Sequence, residues 1–569
     1  MMRIETGLLI IALLIVWLRP TLGSSFFETL ECSFFRLAQR RALSVLVVGL
    51  AALALRALLL PLFPVPEPVV HDEFGYLLAA DTFSHGRLTN PTHPMWMHFE
   101  SFELLQKPTY QCFSPPVQGM ILAFGKVLFG HPYWGVWLSV GVMGAAITWM
   151  LQGWIAAEWA LLGGVLSVLR YGPLTYWGNS YWGGAHGAIG GALVLGALPR
   201  IKADPRVRHT LWMGVGLAIL ANSRPYEGLV FSIPIAVALF AWMLKKNHPT
   251  FGTSLRQVVL PLTVLLVLAA IGTGYYYWRV TGSPFRMGYQ VAGEAYSRVS
   301  WVLWQPIRPA PIYHNAVMEK IYGVLDPEYY KLSSTLIGYI AKGVVGWRFF
   351  LGPAFTLPLL TFIPFTSRDS HWRHLSSPNK FLLLEFAVFV LGSAILTYYN
   401  PHYSSPVTGL VLLFILEAIQ SLRNWQPGGI FLSRAIVVIC LLSFVLRSFA
   451  APLHLPVGQY YEFAWHQTGH PSFGRAKVEK ELHNMPGTHL VIVHYAPNHD
   501  AFNEWVYNDA DIDHSKVVWA RELGADQDQK LVQYFKDHQV WALEADEAPP
   551  RLHPYIQPAP ETSLNRNSR

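Results

Sequence analysis

The chain has 569 residues, 52% of them hydrophobic and only 14% charged. That balance excludes a disordered chain, a collagen-like chain and an ordinary water-soluble enzyme. The formal charge of +7 is uneven: residues 451–569 hold 16 acidic and 10 basic side chains, and residues 1–450 hold 19 acidic and 32 basic ones. The bases of the first part are scattered over short loops between apolar runs, which reads as membrane topology and excludes a nucleic-acid surface.

A membrane-spanning helix needs about 20 mostly apolar residues. Runs of this kind lie near 5–19, 42–63, 133–152, 156–170, 178–198, 210–222, 227–244, 257–279, 345–366, 380–399, 406–421 and 430–449. The predicted fold class is an all-α polytopic membrane protein of about 11–12 transmembrane helices, with a small C-terminal α/β domain. Long continuous apolar runs exclude a membrane β-barrel, whose strands alternate. Cys32, Cys112 and Cys440 lie too far apart in sequence to form a disulfide framework or a zinc-finger spacing. The first run is short and reads as a signal anchor rather than a cleaved signal peptide.

Loops rich in Lys and Arg fall at 36–41, 200–208, 245–256, 368–380 and 423–434. The positive-inside rule places them in the cytoplasm, and alternation then puts 64–115, 223–226, 280–335 and everything after 450 on the outer face. Residues 117–130 form a short apolar run that includes Lys126, and they read as an interfacial helix beside the membrane. Gly183, Gly187 and Gly191 recur at four-residue spacing and predict a ridge for close helix packing. The conspicuous mid-span charges are few, Arg56 and Glu158.

After residue 450 the period changes. His489–His494, Val517–Ala520 and Gln539–Leu543 read as strands, with helical spacing over Gln527–His538. The domain plan is an N-terminal hydrophobic segment and cytoplasmic loop (1–41) followed by a transmembrane domain (42–450). Within the latter lie a first outer loop (64–131) and a long second one (280–344). An extracytoplasmic α/β domain (451–547) and a polar, Pro-rich tail predicted to be disordered (548–569) complete it. The protein is placed in the cytoplasmic (inner) membrane. Asp509-Ala-Asp-Ile-Asp513 lacks the Gly and Glu of a calcium loop and reads as a polar turn.

The first outer loop carries the most chemistry. His71-Asp72-Glu73 follows a span directly, so its carboxylates stand at the membrane surface, where ionisable groups are costly and are functional candidates. The alternative is a solvated helix start with acids near the positive dipole end. Three consecutive helical residues point about 100° apart, so they do not converge on one metal ion without His85, His93 or His98. Lys107 in the same loop, with Arg87, is a candidate contact for a lipid phosphate, and the alternative for Lys107 is an interfacial lysine among headgroups. Asn222-Ser-Arg-Pro-Tyr-Glu-Gly228 is a tight outer turn in which Arg224 pairs with Glu227 or faces a phosphate. Tyr76, His71, Tyr226 and Glu227 are candidate substrate contacts. The loop 280–335 is rich in aromatics and bases, including Tyr289, Trp301 and Tyr329, and reads as an aromatic belt or an acceptor groove.

The order of these features resembles the GT-C class of membrane glycosyltransferases, near the protein O-mannosyltransferases and aminoarabinose transferases. It is carried by Asp72-Glu73 with Tyr76 one turn on, Lys107-Pro108, Pro115-Pro116, the amphipathic Met120–Gly130 and the Ser223-Arg-Pro turn. It spans roughly residues 42–245. The resemblance implies a sugar transferase that uses a polyprenyl-phosphate sugar on the outer face. It implies that Asp72, with Glu73 beside it, acts on the acceptor and that Lys107 contacts the lipid phosphate.

The chemistry stands without the name. A sugar on a lipid phosphate has a good leaving group, so it needs a cation for the departing charge and a carboxylate for the acceptor's proton. No cofactor is required, with a divalent cation (Mg or Mn) as an optional addition, and no metal site is assigned. The partners are the polyprenyl-phosphate sugar, membrane lipids and an acceptor that is protein, lipid or polysaccharide. The rival reading is a transporter or flippase, which predicts mid-span ionisable residues, broken helices in paired positions and internal symmetry.

Overall fold

The computed structural model describes residues 2–245, 250–362, 377–450, 452–455 and 472–556. The membrane part runs α1 (Met2–Leu18), α2 (Ser24–Gln39), α3 (Arg41–Leu58), α4 (His71–Ser84), α5 (Val117–Phe129), α6 (Tyr133–Leu151), α7 (Ala157–Tyr171), α8 (Ala185–Ala203), α9 (Val207–Ala221) and α10 (Pro225–Met243). It continues through α11 (Phe251–Thr281), α12 (Gly288–Ala295), α13 (Asp326–Ser333), α14 (Leu336–Phe350), α15 (Gly352–Leu359) and α16 (Ser377–Ala394). It closes with α17 (Pro401–Arg423) and α18 (Gly428–Ser448). The protein is a polytopic α-helical membrane protein. Among the described residues six helices are long and apolar enough to cross a bilayer: α3, α6, α10, α11, α17 and α18. The other expected runs fold as helices that are shorter or less apolar, so the predicted 11–12 full spans reduce to six by length and composition.

The departures have local causes. The run expected over 178–198 begins only at Ala185, because the stretch 172–184, which holds Pro173, Gly172, Gly178, Gly183 and Gly184, folds as a succession of turns. Gly183 therefore lies outside the helix with φ +89°. Gly187 and Gly191 do form the ridge: a Cβ on them would stand 2.1 Å from Ser405 Oγ and 2.0 Å from the Pro406 carbonyl oxygen. This brings α8 against the start of α17. The run expected over 345–366 breaks between α14 and α15 at Gly352, where φ is +58°, and residues 363–366 lie outside the described residues. Arg56 and Glu158 are not mid-span. Arg56 sits in the last turn of α3 and donates to the Phe63 and Pro64 carbonyls and to Asn179 Oδ1. Glu158 sits in the first turn of α7.

Residues 117–129 form a helix too short to span, as expected, packed on α4 and α6 with Met120, Phe124 and Leu128 exposed. The first outer loop adds a two-stranded ladder, β1 (Leu104–Leu105) with β2 (Gln111–Cys112).

The C-terminal domain carries a helix, α19 (Ser472–Asn484), then β3 (His489–His494), β4 (Val517–Arg521), α20 (Ala525–Tyr534), β5 (Gln539–Glu544) and β6 (Arg551–Pro554). The sheet order is β4-β3-β5-β6, parallel except for the antiparallel β6. The first three strands match the sequence reading. The fourth overturns part of it: residues 551–554 pair as an edge strand where a disordered tail was expected, and residues 557–569 lie outside the described residues.

This domain is not a separate ball. Its buried Leu490, Ile492, Tyr507 and Val518 share one apolar cluster with Phe74, Leu78, Phe99 and Tyr110 of the first outer loop. Phe74 stacks on Tyr507 with ring centroids 4.2 Å apart, and the Arg475 guanidinium lies between Phe74 and Trp519 at about 5 Å from each ring. Asp81 accepts the Ala510 N–H at 2.8 Å, and Tyr110 donates to the Asn508 carbonyl at 3.1 Å.

Candidate active site

The outer ends of α4, α8, α10 and α17 meet the first outer loop in one buried polar cluster. Its entry point is the start of α4. Val70 is extended, and the Glu73 carboxylate reaches back to accept the N–H groups of Val69 (2.7 Å) and Val70 (3.1 Å). Its other oxygen accepts the Tyr181 N–H at 2.8 Å. Glu73 thus satisfies donors that a helix start leaves open and clasps α4 to the 172–184 turns. Burial pushes its carboxyl up to about 7 against the pull of those three N–H groups. Both of its oxygens are engaged in backbone hydrogen bonds.

Asp72 is partly buried on another face of α4. Burial raises its pKa, while the Trp182 indole, its own backbone N–H and Arg224 favour the charged form. A second acid, absent from the sequence reading, joins it. Glu103 is 6% exposed and holds φ +68°, a conformation that costs a non-glycine residue roughly 1–3 kcal/mol. It accepts the Ser114 hydroxyl at 3.2 Å. Gly75 makes the approach fit: a Cβ there would meet Cys112 Sγ at 3.0 Å and Glu103 Cβ at 3.2 Å. Gly75 lies one turn after Asp72, so the two acids share a helix face. Burial drives Glu103 well above the carboxylate range, and the Asp72 charge adds to it. Arg224 offsets part of the rise of both acids.

That cation is Arg224, which ends the turn into α10 and is 7% exposed. Its guanidinium lies 4.6 Å over the Tyr403 ring, with Tyr76, Tyr289 and Glu227 as electrostatic neighbours. Its buried Nε has no hydrogen-bond partner among the described residues. A buried guanidinium with an unmet donor is costly in an empty fold and is suited to an anion.

Other predicted site residues fall elsewhere. Lys107 is exposed, with Nζ 4.2 Å over the Trp96 ring. Arg87 lies beside Asp511 of the C-terminal domain. His71 is buried, and both ring nitrogens hold that domain, Nδ1 at the Tyr507 hydroxyl and Nε2 at the Ala501 carbonyl. Tyr226 donates to the Gly392 carbonyl on α16 at 2.9 Å. Tyr76 and Glu227 stay with the cluster, both buried. His93 contacts Asp513 at 3.0 Å and His98 contacts the Arg521 carbonyl at 2.9 Å. Among the described residues no three or more His, Cys, Asp or Glu side chains are grouped to hold a metal ion.

Besides Glu103, the sequence reading passed over His186, in the first turn of α8, and His402, at the start of α17, both within electrostatic reach of Arg224. The turn residues before Ala185 were the available signal for His186, since they end the apolar run early. Asn400-Pro-His-Tyr403 was the signal for His402, as a Pro-marked outer turn. Nothing in the sequence announces the left-handed Glu103.

No protein-family model matches the chain, and no curated protein matches it by sequence. Solved structures do. The apo crystal structure of ArnT from Cupriavidus metallidurans aligns with a TM-score of 0.51 at 13% identity, over 87% of this chain and 92% of that one. ArnT of the same organism bound to undecaprenyl phosphate aligns at 0.49 and 12%, over the same shares. An Archaeoglobus fulgidus oligosaccharyltransferase tethered with an acceptor peptide aligns at 0.40 and 11%, over 87% of this chain and 69% of that one. At these identities the likeness is one of fold, shared with the apo ArnT structure.

Proposed function

We propose that this protein transfers a sugar from a polyprenyl-phosphate sugar to an acceptor hydroxyl on the outer face of the cytoplasmic membrane. One observation carries the reading: the partly buried Asp72 stands with a buried Arg224 whose Nε has no hydrogen-bond partner among the described residues. The reaction needs this pair. The carboxylate takes the proton of the attacking hydroxyl. The new bond forms between that oxygen and the sugar's anomeric carbon as the carbon–oxygen bond to the phosphate breaks. The phosphate leaves with the electron pair, and the guanidinium receives its charge in a site screened from water. Glu103 lies beside Asp72 against Gly75 of α4, and Glu73 holds α4 in place. Of Lys107, Arg224 and Arg87, the cations the sequence offers for the phosphate, Arg224 takes the role.

The test uses purified protein in lipid nanodiscs with a panel of polyprenyl-phosphate sugars and a crude acceptor extract. Release of free polyprenyl phosphate is followed in wild type, Asp72→Asn and Arg224→Ala. Release that is lost in both variants is expected. No turnover of any donor by folded wild type would remove the transferase reading, and turnover that survives Asp72→Asn would remove Asp72 as the base.

A further inference from the structure

Charged pairs fix where the first two helices stand. Glu5, in the first turn of α1, accepts the Ala354 N–H of α15 at 3.0 Å and meets Arg170 Nη1 at 3.4 Å. Arg170 lies in the last turn of α7, which leads into the 172–184 turns that Glu73 clasps. α1 therefore starts on the side of the candidate site and ends on the opposite face. There Glu31, midway along α2, accepts from Arg423 at 3.2 and 3.4 Å and from Arg434 at 3.0 and 2.9 Å. Arg423 closes α17, which began at the site with His402, and Arg434 stands near the start of α18. Where α2 gives way to α3, the Arg41 carbonyl accepts from Gln152, which caps the far end of α6, at 3.0 Å. The start, middle and end of α2 thus stand at one level. Its 16 residues, about 24 Å in length, lie along the face opposite the site.

Three stripes run along α2. Phe27, Glu31, Phe34 and Ala38 recur at helical spacing and turn toward the protein, where α2 packs on α3 and α7. Beside them Phe26 and Leu30, four residues apart, are 68% and 53% exposed. Ser25, Glu28, Cys32, Arg36 and Gln39 form the third stripe, polar and exposed apart from the sulfur-bearing Cys32 being a weak polar group. Arg36, Arg40 and Arg41 then crowd together at the end of the helix, all exposed. Arg36 reaches the carbonyl of Cys32 on its own helix, and Arg40 and Arg41 have no ion-pair partner among the described residues. Glu31 is taken by its two arginines, which leaves Glu28 as the exposed acid of α2. A bare apolar stripe next to a polar one, with free cations at the margin, matches the boundary of a bilayer. The apolar side chains sink among acyl chains while the guanidinium groups meet headgroup phosphates, and the excess of positive charge selects anionic lipids.

We propose that α2 lies in the interface of the leaflet opposite the site, with Phe26 and Leu30 among the acyl chains and Arg36, Arg40 and Arg41 on the phosphates of anionic lipids. The lipid contact and the polar cluster around Asp72 then stand on opposite faces of the protein. The inference is independent of the donor chemistry, and it survives or falls without it.

Two measurements test it. The first uses the thiols. Cys32 is exposed on the polar stripe, whereas Cys112 and Cys440 are buried. In lipid nanodiscs a water-soluble maleimide is expected to label Cys32 in the wild type. It is expected to label Leu30→Cys, made in a Cys32→Ser background, about tenfold more slowly, as a position sunk below the headgroups. Equal rates at the two positions overturn the insertion. The second is native mass spectrometry of the full-length protein titrated with phosphatidylglycerol or with phosphatidylcholine. Wild type is expected to prefer phosphatidylglycerol. The triple variant Arg36→Gln, Arg40→Gln, Arg41→Gln is expected to lose about fivefold of that preference for each arginine changed, with its affinity for phosphatidylcholine kept. Equal binding of the two lipids by wild type overturns the headgroup contact, and so does a preference that the triple variant retains. Arg36→Gln alone, which removes a side chain that touches its own helix, reads the same loss on a smaller scale if the triple variant misfolds.

Discussion

Asp72 and Glu103 lie on one face of α4, with Glu103 seated on Gly75, one turn beyond Asp72. Burial raises both carboxyls, and the Asp72 charge raises Glu103 further. A base works when ionised, so the acid limb of the pH–rate profile is expected above the ordinary Asp range in wild type and, because burial lifts Asp72, is expected to stay there in Glu103→Gln. Rates measured between about pH 4 and 8 check this, and a limb that moves down would show that Glu103 carries charge beside Asp72.

The contrast between Arg224 and Lys107 is a second test. Arg224→Ala is expected to cut kcat/KM by about 10²-fold or more, the effect of losing one donor to a developing anion. Lys107→Ala removes an exposed ammonium whose recorded contact is the Trp96 ring, worth about 0.5–1 kcal/mol. Its kcat/KM is expected to stay within about fivefold of wild type. Initial rates over a range of donor concentrations decide between the two cations.

These two cases show what the sequence makes legible. The membrane class, the acids after α3, the Arg224 turn and three of the four strands of the C-terminal sheet follow from hydrophobic period and turn residues. Lys107 shows a limit of the sequence, because a loop lysine carries no record of which way its chain runs, and here it runs to Trp96. Glu103 was invisible because its place depends on a left-handed backbone and on the missing side chain of Gly75, neither of which has a spacing rule. His186 was hidden inside an apolar run whose first seven residues turn out to be turns. His71 looked like a substrate ligand because its partner Tyr507 lies 436 residues away, beyond any local pattern.

Glu73 makes stability depend on pH. Its folded pKa is raised from 4.5 to about 7. Below pH 4.5 the group is protonated in both states and the penalty is absent. As pH rises through 7 the folded state is disfavoured by up to about 3 kcal/mol, at 1.36 kcal/mol per unit. Thermal unfolding of the outer region is expected to occur at lower temperature at pH 8 than at pH 5. Glu73→Gln, which keeps an acceptor and cannot ionise, is expected to flatten that difference, as read by differential scanning calorimetry in nanodiscs.

His71 fastens the outer loop to the C-terminal domain through both ring nitrogens. His71→Phe keeps the ring and leaves the Ala501 carbonyl and the Tyr507 hydroxyl without that partner, at about 1–3 kcal/mol for an unmet buried group. Hydrogen exchange in α4 and β3 is expected to quicken together, while exchange in α6 and α8 stays as in wild type. Quickening confined to α4 would show that the domain is held by other contacts.

The shared cluster of Phe74, Leu78 and Tyr110 with Leu490, Ile492 and Tyr507 also sets a timetable. During synthesis the first outer loop crosses the membrane hundreds of residues before the strands that cover it. Until β3 and β4 follow, those side chains have no mate and α4 has no lid above it, so the polar cluster beneath stays wet. The long sequence separation makes this docking the slow, late event of assembly. A chain released early would therefore keep its membrane helices and leave Phe74, Leu78 and Tyr110 without the strands that cover them.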